Sequence, residues 1–168
     1  MTENLKIDKS LSDEEIYKQI LPQIESLINP DEPLVSNLSN VTALLKDAFG
    51  KISWVGFYLF NRDKLFLGPF QGKVACSVID LCRGVCGTSA SKKETIIVDD
   101  VHKFQGHIAC DSGSNSEIVI PIIKGNDILG VLDLDSYNYS AFNEVDKFYL
   151  ERICKLLANK FSFKSILL

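Results

Sequence analysis

Apolar positions recur with a helical period at both ends of this 168-residue chain and with a strand period in its middle. Ser12-Asp13-Glu14-Glu15 has the form of a capping box, so a helix is predicted from there to about Leu27, with a kink expected at Pro22. Pro33 opens a second predicted helix, in which Leu34, Leu38, Val41, Leu45 and Phe49 form one stripe and Gly50 ends the run. From Ser53 to Phe60 the chain is rich in aromatic and β-branched residues. Asn61-Arg62-Asp63 then supplies a turn before a second strand at Leu65 to Phe70. Short strands are predicted at Cys76 to Ile79 and Thr95 to Val98, with a short helix from Gly87 to Ser91 between them. Glu117 to Ile123 and Ile128 to Asp135 read as a hairpin about Gly125-Asn126. Asn143 caps a last helix to about Phe161, with Val145, Tyr149, Ile153, Leu156 and Leu157 as its apolar stripe. Hairpins in the middle with helices at both ends predict an α+β class. Its central antiparallel sheet has helices packed on one face and a ligand pocket under loops on the other.

The length fits one domain over residues 1–168, with the polar stretch 1–10 expected as a flexible N-terminus. A formal charge of −4 without runs of like charge makes nucleic acid and anionic membranes poor partners. The start carries no apolar signal core and no later stretch is long enough to span a bilayer, so a cytoplasmic, reducing location is expected. That matters for the five cysteines, because an odd count in such a compartment argues against a structural disulfide framework. Cys154, beside Ile153, Leu156 and Leu157, reads as a small core residue. Cys76, Cys82, Cys86 and Cys110 crowd into 35 residues among glycines and polar groups, at spacings unlike those of structural zinc sites.

Two features carry potential chemistry. Asp133 and Asp135 alternate with Leu132 and Leu134, so the two carboxylates share one face of their strand. They are either strand-end groups meeting solvent or part of an acidic wall. Glu117 lies on the partner strand, and the hairpin register decides whether it joins them. A regular two-residue turn at Gly125-Asn126 would pair Ile118 with Asp133 and turn Glu117 away. An odd loop, or a bulge of the same effect, would bring Glu117 onto their face and send Ile118, Ile120 and Ile122 to the face of Leu132 and Leu134. The apolar pattern favours the latter, and crowded carboxylates would then raise at least one pKa. The second feature is the glycine-flanked loop Gly106-His107-Ile108-Ala109-Cys110-Asp111-Ser112-Gly113, whose cysteine is a better nucleophile candidate than one in a core. Neither His102 nor His107 is assigned a catalytic role. Trp54 and Tyr58 share a strand face opposite Phe57 and could form an aromatic wall for a small apolar group.

Several blocks of this chain resemble the free methionine-R-sulfoxide reductases, which are GAF-domain proteins. They are Gly68-Pro69-Phe70-Gln71-Gly72-Lys73-Val74-Ala75-Cys76, Gly84-Val85-Cys86-Gly87-Thr88, Gly106-His107-Ile108-Ala109-Cys110-Asp111 and Leu132-Asp133-Leu134-Asp135-Ser136. The resemblance implies a GAF fold and reduction of free methionine-R-sulfoxide. It implies that Cys110 is the nucleophile, Cys76 the resolving cysteine and Cys86 an auxiliary third cysteine. It also places Trp54, Tyr58, Glu117, Asp133 and Asp135 in the substrate pocket, with the carboxylates as candidate acids. Cys82 departs from the pattern and could form a competing disulfide. A thiolate attacking sulfur while an acid protonates the departing oxygen calls for no metal or organic cofactor. Thioredoxin is the expected external reductant, and the family implies a homodimer. The rival readings are a non-catalytic GAF sensor binding a small ligand, which usually sits in a longer chain, and a thiol redox or zinc module without a small substrate.

Overall fold

The computed structural model describes residues 7–106 and 112–163. The capping box forms as expected: the Ser12 side chain accepts from the Glu15 amide and the Glu15 carboxylate accepts from the Ser12 amide. It starts α1 (Asp13–Leu27), which continues through Pro22. α2 (Leu34–Ala48) begins after Pro33 and closes on Phe49, one residue before Gly50. Residues 1–6 lie outside the description, and the partly buried Ile7 and Leu11 pack against the core.

Six strands follow: β1 (Trp54–Asn61), β2 (Lys64–Gln71), β3 (Val78–Asp80), β4 (Ile96–Val98), β5 (Ser116–Lys124) and β6 (Asp127–Ser136). They form one sheet in the order β3-β2-β1-β6-β5-β4, with every pairing antiparallel. Arg62 and Asp63 both take positive φ between the paired Asn61 and Lys64, the backbone a tight two-residue hairpin requires. α3 (Gly84–Lys92) sits between β3 and β4, and α4 (Glu144–Lys160) closes the fold from an Asn143 cap.

The helices do not all lie on one side of the sheet. α1, α2 and α4 bury their stripes against Val55, Phe57, Leu59, Ile118, Ile120, Ile122, Leu132 and Leu134. α3 packs on the opposite face, where Val85, Cys86 and Ala90 join a second cluster with Trp54, Tyr58, Val119 and Val131. The pocket face is therefore roofed partly by a helix and not by loops alone. The core side is pinned by Lys51, whose Nζ reaches Asp146 at 2.7 and 2.8 Å and Asp13 at 2.6 Å, while Tyr17 donates to Asp146. Cys154 is 2 % exposed within this core, in keeping with its reading as a small apolar residue.

The β5–β6 hairpin brings Glu117 onto the face of the aspartates, as the apolar pattern predicts, through a bulge and not through an odd-length turn. Its turn is the two-residue Gly125-Asn126, with Lys124 opposite Asp127. The register then slips by one residue, because Ile123 faces Ile128 while Ile122 faces Gly130. The extra residue, Leu129, is a β-bulge and reverses the faces from there on. Glu117 is consequently paired with Asp135, and Ile118 and Ile120 with Leu134 and Leu132. Gly130 permits the bulge to close on β1: a Cβ there would stand 2.3 Å from the Tyr58 carbonyl oxygen. Gly130→Ala should therefore cost about 2 kcal/mol or more, since the clash is with backbone and cannot be relieved by a rotamer. Urea denaturation tests this, and an unchanged midpoint and slope would show that β1 and β6 can part freely.

Candidate active site

On the pocket face β1 contributes Trp54, Gly56 and Tyr58, β6 contributes Asp133 and Asp135, and β5 contributes Glu117. Trp54 pairs with Asp135 and Gly56 with Asp133, which sets aromatic and acidic residues side by side. A Cβ at Gly56 would meet the Trp54 ring at 2.4 Å, so the missing side chain is what lets the indole lie across the strand. The indole stacks on Phe70 with ring centroids 5.5 Å apart and faces Tyr58 at 6.2 Å. Trp54, Tyr58, Glu117, Asp133 and Asp135 line a cavity of about 40 Å³ together with Arg83, Cys86 and Ser114. That is several times the space one water needs.

The polar ends of the two aromatics have a second task. Trp54 Nε1 donates to the Lys73 carbonyl and Tyr58 Oη donates to the Cys76 carbonyl, each at 3.0 Å. The wall thus anchors the segment between β2 and β3 that carries Cys76. That cysteine lies ahead of β3, not inside it as its apolar neighbours suggested. Cys76 is disulfide-bonded, whereas Cys82, Cys86 and Cys154 are free thiols. Cys82 is exposed, with its sulfur 3.0 Å from the Ser91 hydroxyl. Cys110, His107 and Asp111 lie outside the described residues. His102 is exposed and its ring faces Asn115, away from any assigned role.

Under the aromatic wall, the Cys86 thiol donates to Asp133 Oδ2 at 3.2 Å. Glu117 and Asp133 share a further hydrogen bond, and each is only 6 % exposed. Burial pushes the Glu117 carboxyl well above the usual carboxylate range, and the charges of Asp133 and Asp135 add to the shift. Burial also pushes Asp133 up to about 7, against the hydrogen bonds from Cys86 and Glu117, which favour its charged form. The Cys86 thiol is raised by burial and by both carboxylates, so it stays protonated. Burial thus favours the protonated form of both carboxyls. Asp135 is half-buried at the open end of the acidic wall.

Comparison with known proteins agrees with this geometry. A GAF-domain family profile matches residues 37–161. GAF domain-containing protein A of Dictyostelium discoideum is 51 % identical over 95 % of this chain and 100 % of its own length. A free methionine-R-sulfoxide reductase of Saccharomyces cerevisiae is 45 % identical, covering 96 % of this chain and 94 % of the yeast protein. The crystal structure of free methionine-R-sulfoxide reductase from Neisseria meningitidis in complex with its substrate superposes with a TM-score of 0.87. It is 45 % identical and covers 93 % of this chain and 95 % of that one. This chain belongs to the free methionine-R-sulfoxide reductase family of GAF-domain proteins.

Among this family member's pocket residues, Arg83 and Ser114 escaped the reading of the sequence. Arg83 precedes α3 on the pocket rim as its N-cap residue, and the helix start has no side-chain cap. Ser114 is 4 % exposed and its hydroxyl has no hydrogen-bond partner among the described residues. Nothing in the spacing of either residue marks it. The tie between Tyr58 and the Cys76 carbonyl makes a testable separation. On the cysteine mechanism proposed below, Tyr58→Phe should slow disulfide-dependent recycling by roughly 3- to 10-fold, the loss of one partly buried hydrogen bond. First-turnover methionine release should stay near normal. A quench-flow measurement showing the first turnover slowed and recycling intact would reverse this assignment.

Proposed function

We propose that this chain reduces free L-methionine (R)-sulfoxide to L-methionine by cysteine chemistry. The observation that carries the reading is the buried, hydrogen-bonded Glu117–Asp133 pair beside an aromatic wall, in a pocket whose rim segment carries a disulfide-bonded Cys76. The names of the yeast and Neisseria relatives support the same substrate.

The sulfoxide methyl group packs against Trp54 and Tyr58, and the sulfoxide oxygen faces the neutral acids. The Cys110 thiolate attacks sulfur as Glu117 or Asp133 protonates the oxygen. The protonated oxygen leaves as water, giving a Cys110–substrate thiosulfonium. A water then attacks the Cys110 sulfur and breaks the sulfur–sulfur bond, so that Cys110 carries a sulfenic acid, methionine is released and the net change is transfer of one oxygen from substrate to Cys110. The Cys76 thiol then condenses with the sulfenic acid, forming a Cys76–Cys110 disulfide and one water. Thioredoxin, or another dithiol, reduces that disulfide by exchange and leaves as its own disulfide. Cys86 keeps its proton and positions Asp133. It stands apart from the redox cycle, in keeping with its free thiol where Cys76 is bonded. Asp135 reads the substrate ammonium, and Arg83 with the uncapped start of α3 reads the carboxylate. The working unit is a homodimer, which size-exclusion chromatography with light scattering tests.

The deciding assay is thioredoxin-dependent NADPH oxidation with free methionine-R-sulfoxide, its S epimer and a peptide carrying an internal methionine sulfoxide. A site built for both charged ends should prefer the free R form over the peptide by at least about 10³-fold in kcat/KM. Comparable turnover of the peptide would sink the free amino acid as substrate, and no turnover of any of the three would favour a ligand-binding GAF module.

A further inference from the structure

Three potential ligand atoms converge in the floor of the pocket: the Cys86 sulfur and one carboxylate oxygen each from Glu117 and Asp133 lie within 4.8 Å of one another, all on buried residues. The Cys86 Sγ to Asp133 Oδ2 distance is 3.2 Å. A tetrahedral ion with a metal–sulfur bond of about 2.3 Å and a metal–oxygen bond of about 2.0 Å spaces its sulfur and oxygen ligands by roughly 3.5 Å. Little movement is therefore required to seat an ion between them.

A further atom points to an unfilled coordination need. The Ser114 hydroxyl, on a residue 4 % exposed, lines the same cavity and has no hydrogen-bond partner among the described residues. A cavity of about 40 Å³ has room for an ion with a water in its fourth position.

We propose that Cys86, Glu117 and Asp133 form a binding site for a thiophilic divalent cation of the zinc type, and that its occupation excludes substrate from the pocket. One thiolate with two carboxylates suits zinc or cadmium, whereas magnesium and calcium prefer more numerous, all-oxygen ligands. Binding displaces the Cys86 thiol proton and the proton shared by the carboxyl pair, both of which leave to solvent. The cation then neutralises the like charges that otherwise force the pair to stay protonated. The ion is an inhibitor in this arrangement, because it consumes the acids that would protonate a sulfoxide. That half of the proposal rests on the reading of the pocket as the substrate site.

The test uses Co²⁺ as the spectroscopic stand-in for Zn²⁺, added to the full-length Cys82→Ser protein in its disulfide form. Cys76 is then unavailable, and Cys86 remains a thiol. One equivalent should bind with a thiolate-to-cobalt charge-transfer band and the intense visible bands of a four-coordinate ion. Zn²⁺ should displace it and Mg²⁺ should not. Adding Cys86→Ala should abolish the charge-transfer band and weaken binding at least ~10²-fold, whereas Asp133→Asn should keep the band and weaken binding about 10-fold. Should Cys86→Ala fail to fold by circular dichroism, the Asp133→Asn arm reads the same site. No band in the folded parent, or a band of unchanged affinity in either variant, would overturn the site. Free methionine sulfoxide should raise the apparent Kd for Co²⁺ in proportion to its concentration. A cobalt affinity indifferent to saturating sulfoxide would overturn the exclusion alone, so failure of the metal site and failure of the substrate reading give different results.

Discussion

Cys110→Ser should lose both steady-state turnover and the single-turnover release of methionine, each by about 10³-fold or more. The proposed first step forms a bond between the Cys110 sulfur and the substrate sulfur, and a serine hydroxyl is neither ionised at neutral pH nor a comparable nucleophile toward sulfur. Other cysteines are poorly placed to substitute. Cys86 is buried, which with its carboxylate neighbours keeps it protonated, Cys154 sits in the core on the other side of the sheet, and Cys82 is not among the residues that line the pocket. The contrast lies with Cys76→Ser, which should release one equivalent of methionine at a near-normal rate and then stall as a sulfenic acid. Trapping with dimedone and mass spectrometry should place that adduct on Cys110. Near-normal single-turnover yield in Cys110→Ser would remove the nucleophile assignment. An adduct on Cys86 would transfer it.

The parts of this site that were legible beforehand are those written as alternation. Asp133 and Asp135 interleave with Leu132 and Leu134, and Glu117 with Ile118 and Ile120, so burying one apolar face obliges the carboxylates to gather on the other. The apolar pattern demanded a one-residue slip without saying where it falls. Leu129 and Gly130 supply it, and a lone glycine in a strand signals weakness or a bulge equally well. The start of α3 was misplaced for a related reason. Its N-cap residue is Arg83, with no Ser, Thr, Asp or Asn to announce a helix, and the turn is made by Gly84 at a φ of 60°. The hydrogen bonds from Trp54 and Tyr58 to the Cys76 segment are long-range contacts to backbone carbonyls, for which side-chain identity carries no mark. That α3 packs on the pocket face was missed, because the helix is short and its apolar residues, Val85, Cys86 and Ala90, read as a weak stripe.

The buried acids predict opposite effects of the same substitution on stability and on rate. Asp133 has its folded pKa raised from 3.8 to about 7, so folding favours the neutral form. The stability it contributes is fully present below its unfolded pKa and is lost as pH rises through 7, where a buried carboxylate must be carried. Glu117 is shifted in the same direction, by burial first and by Asp133 and Asp135 next, and extends the effect to higher pH. Asp133→Asn removes the ionisation while keeping an oxygen for the Cys86 thiol to bond. Its stability relative to the natural chain should therefore be near zero or slightly negative at pH 5 and should rise by about 1 to 3 kcal/mol by pH 8. The chemical step should move the other way. With one proton-holding acid gone, single-turnover reduction should fall by about 10²-fold, and the falling limb of the natural rate near pH 7, which belongs to the Glu117–Asp133 pair, should shift or vanish. Glu117→Gln should show the same pattern with its stability gain displaced to higher pH. Urea denaturation at several pH values, beside single-turnover rates on the same variants, measures both quantities. A stability difference that stays flat from pH 5 to 8 would mean the pair is not held protonated by the fold. A natural rate that climbs without limit through pH 8 would take both residues out of the acid role and leave Asp135, at the open end of the wall, as the group to test next.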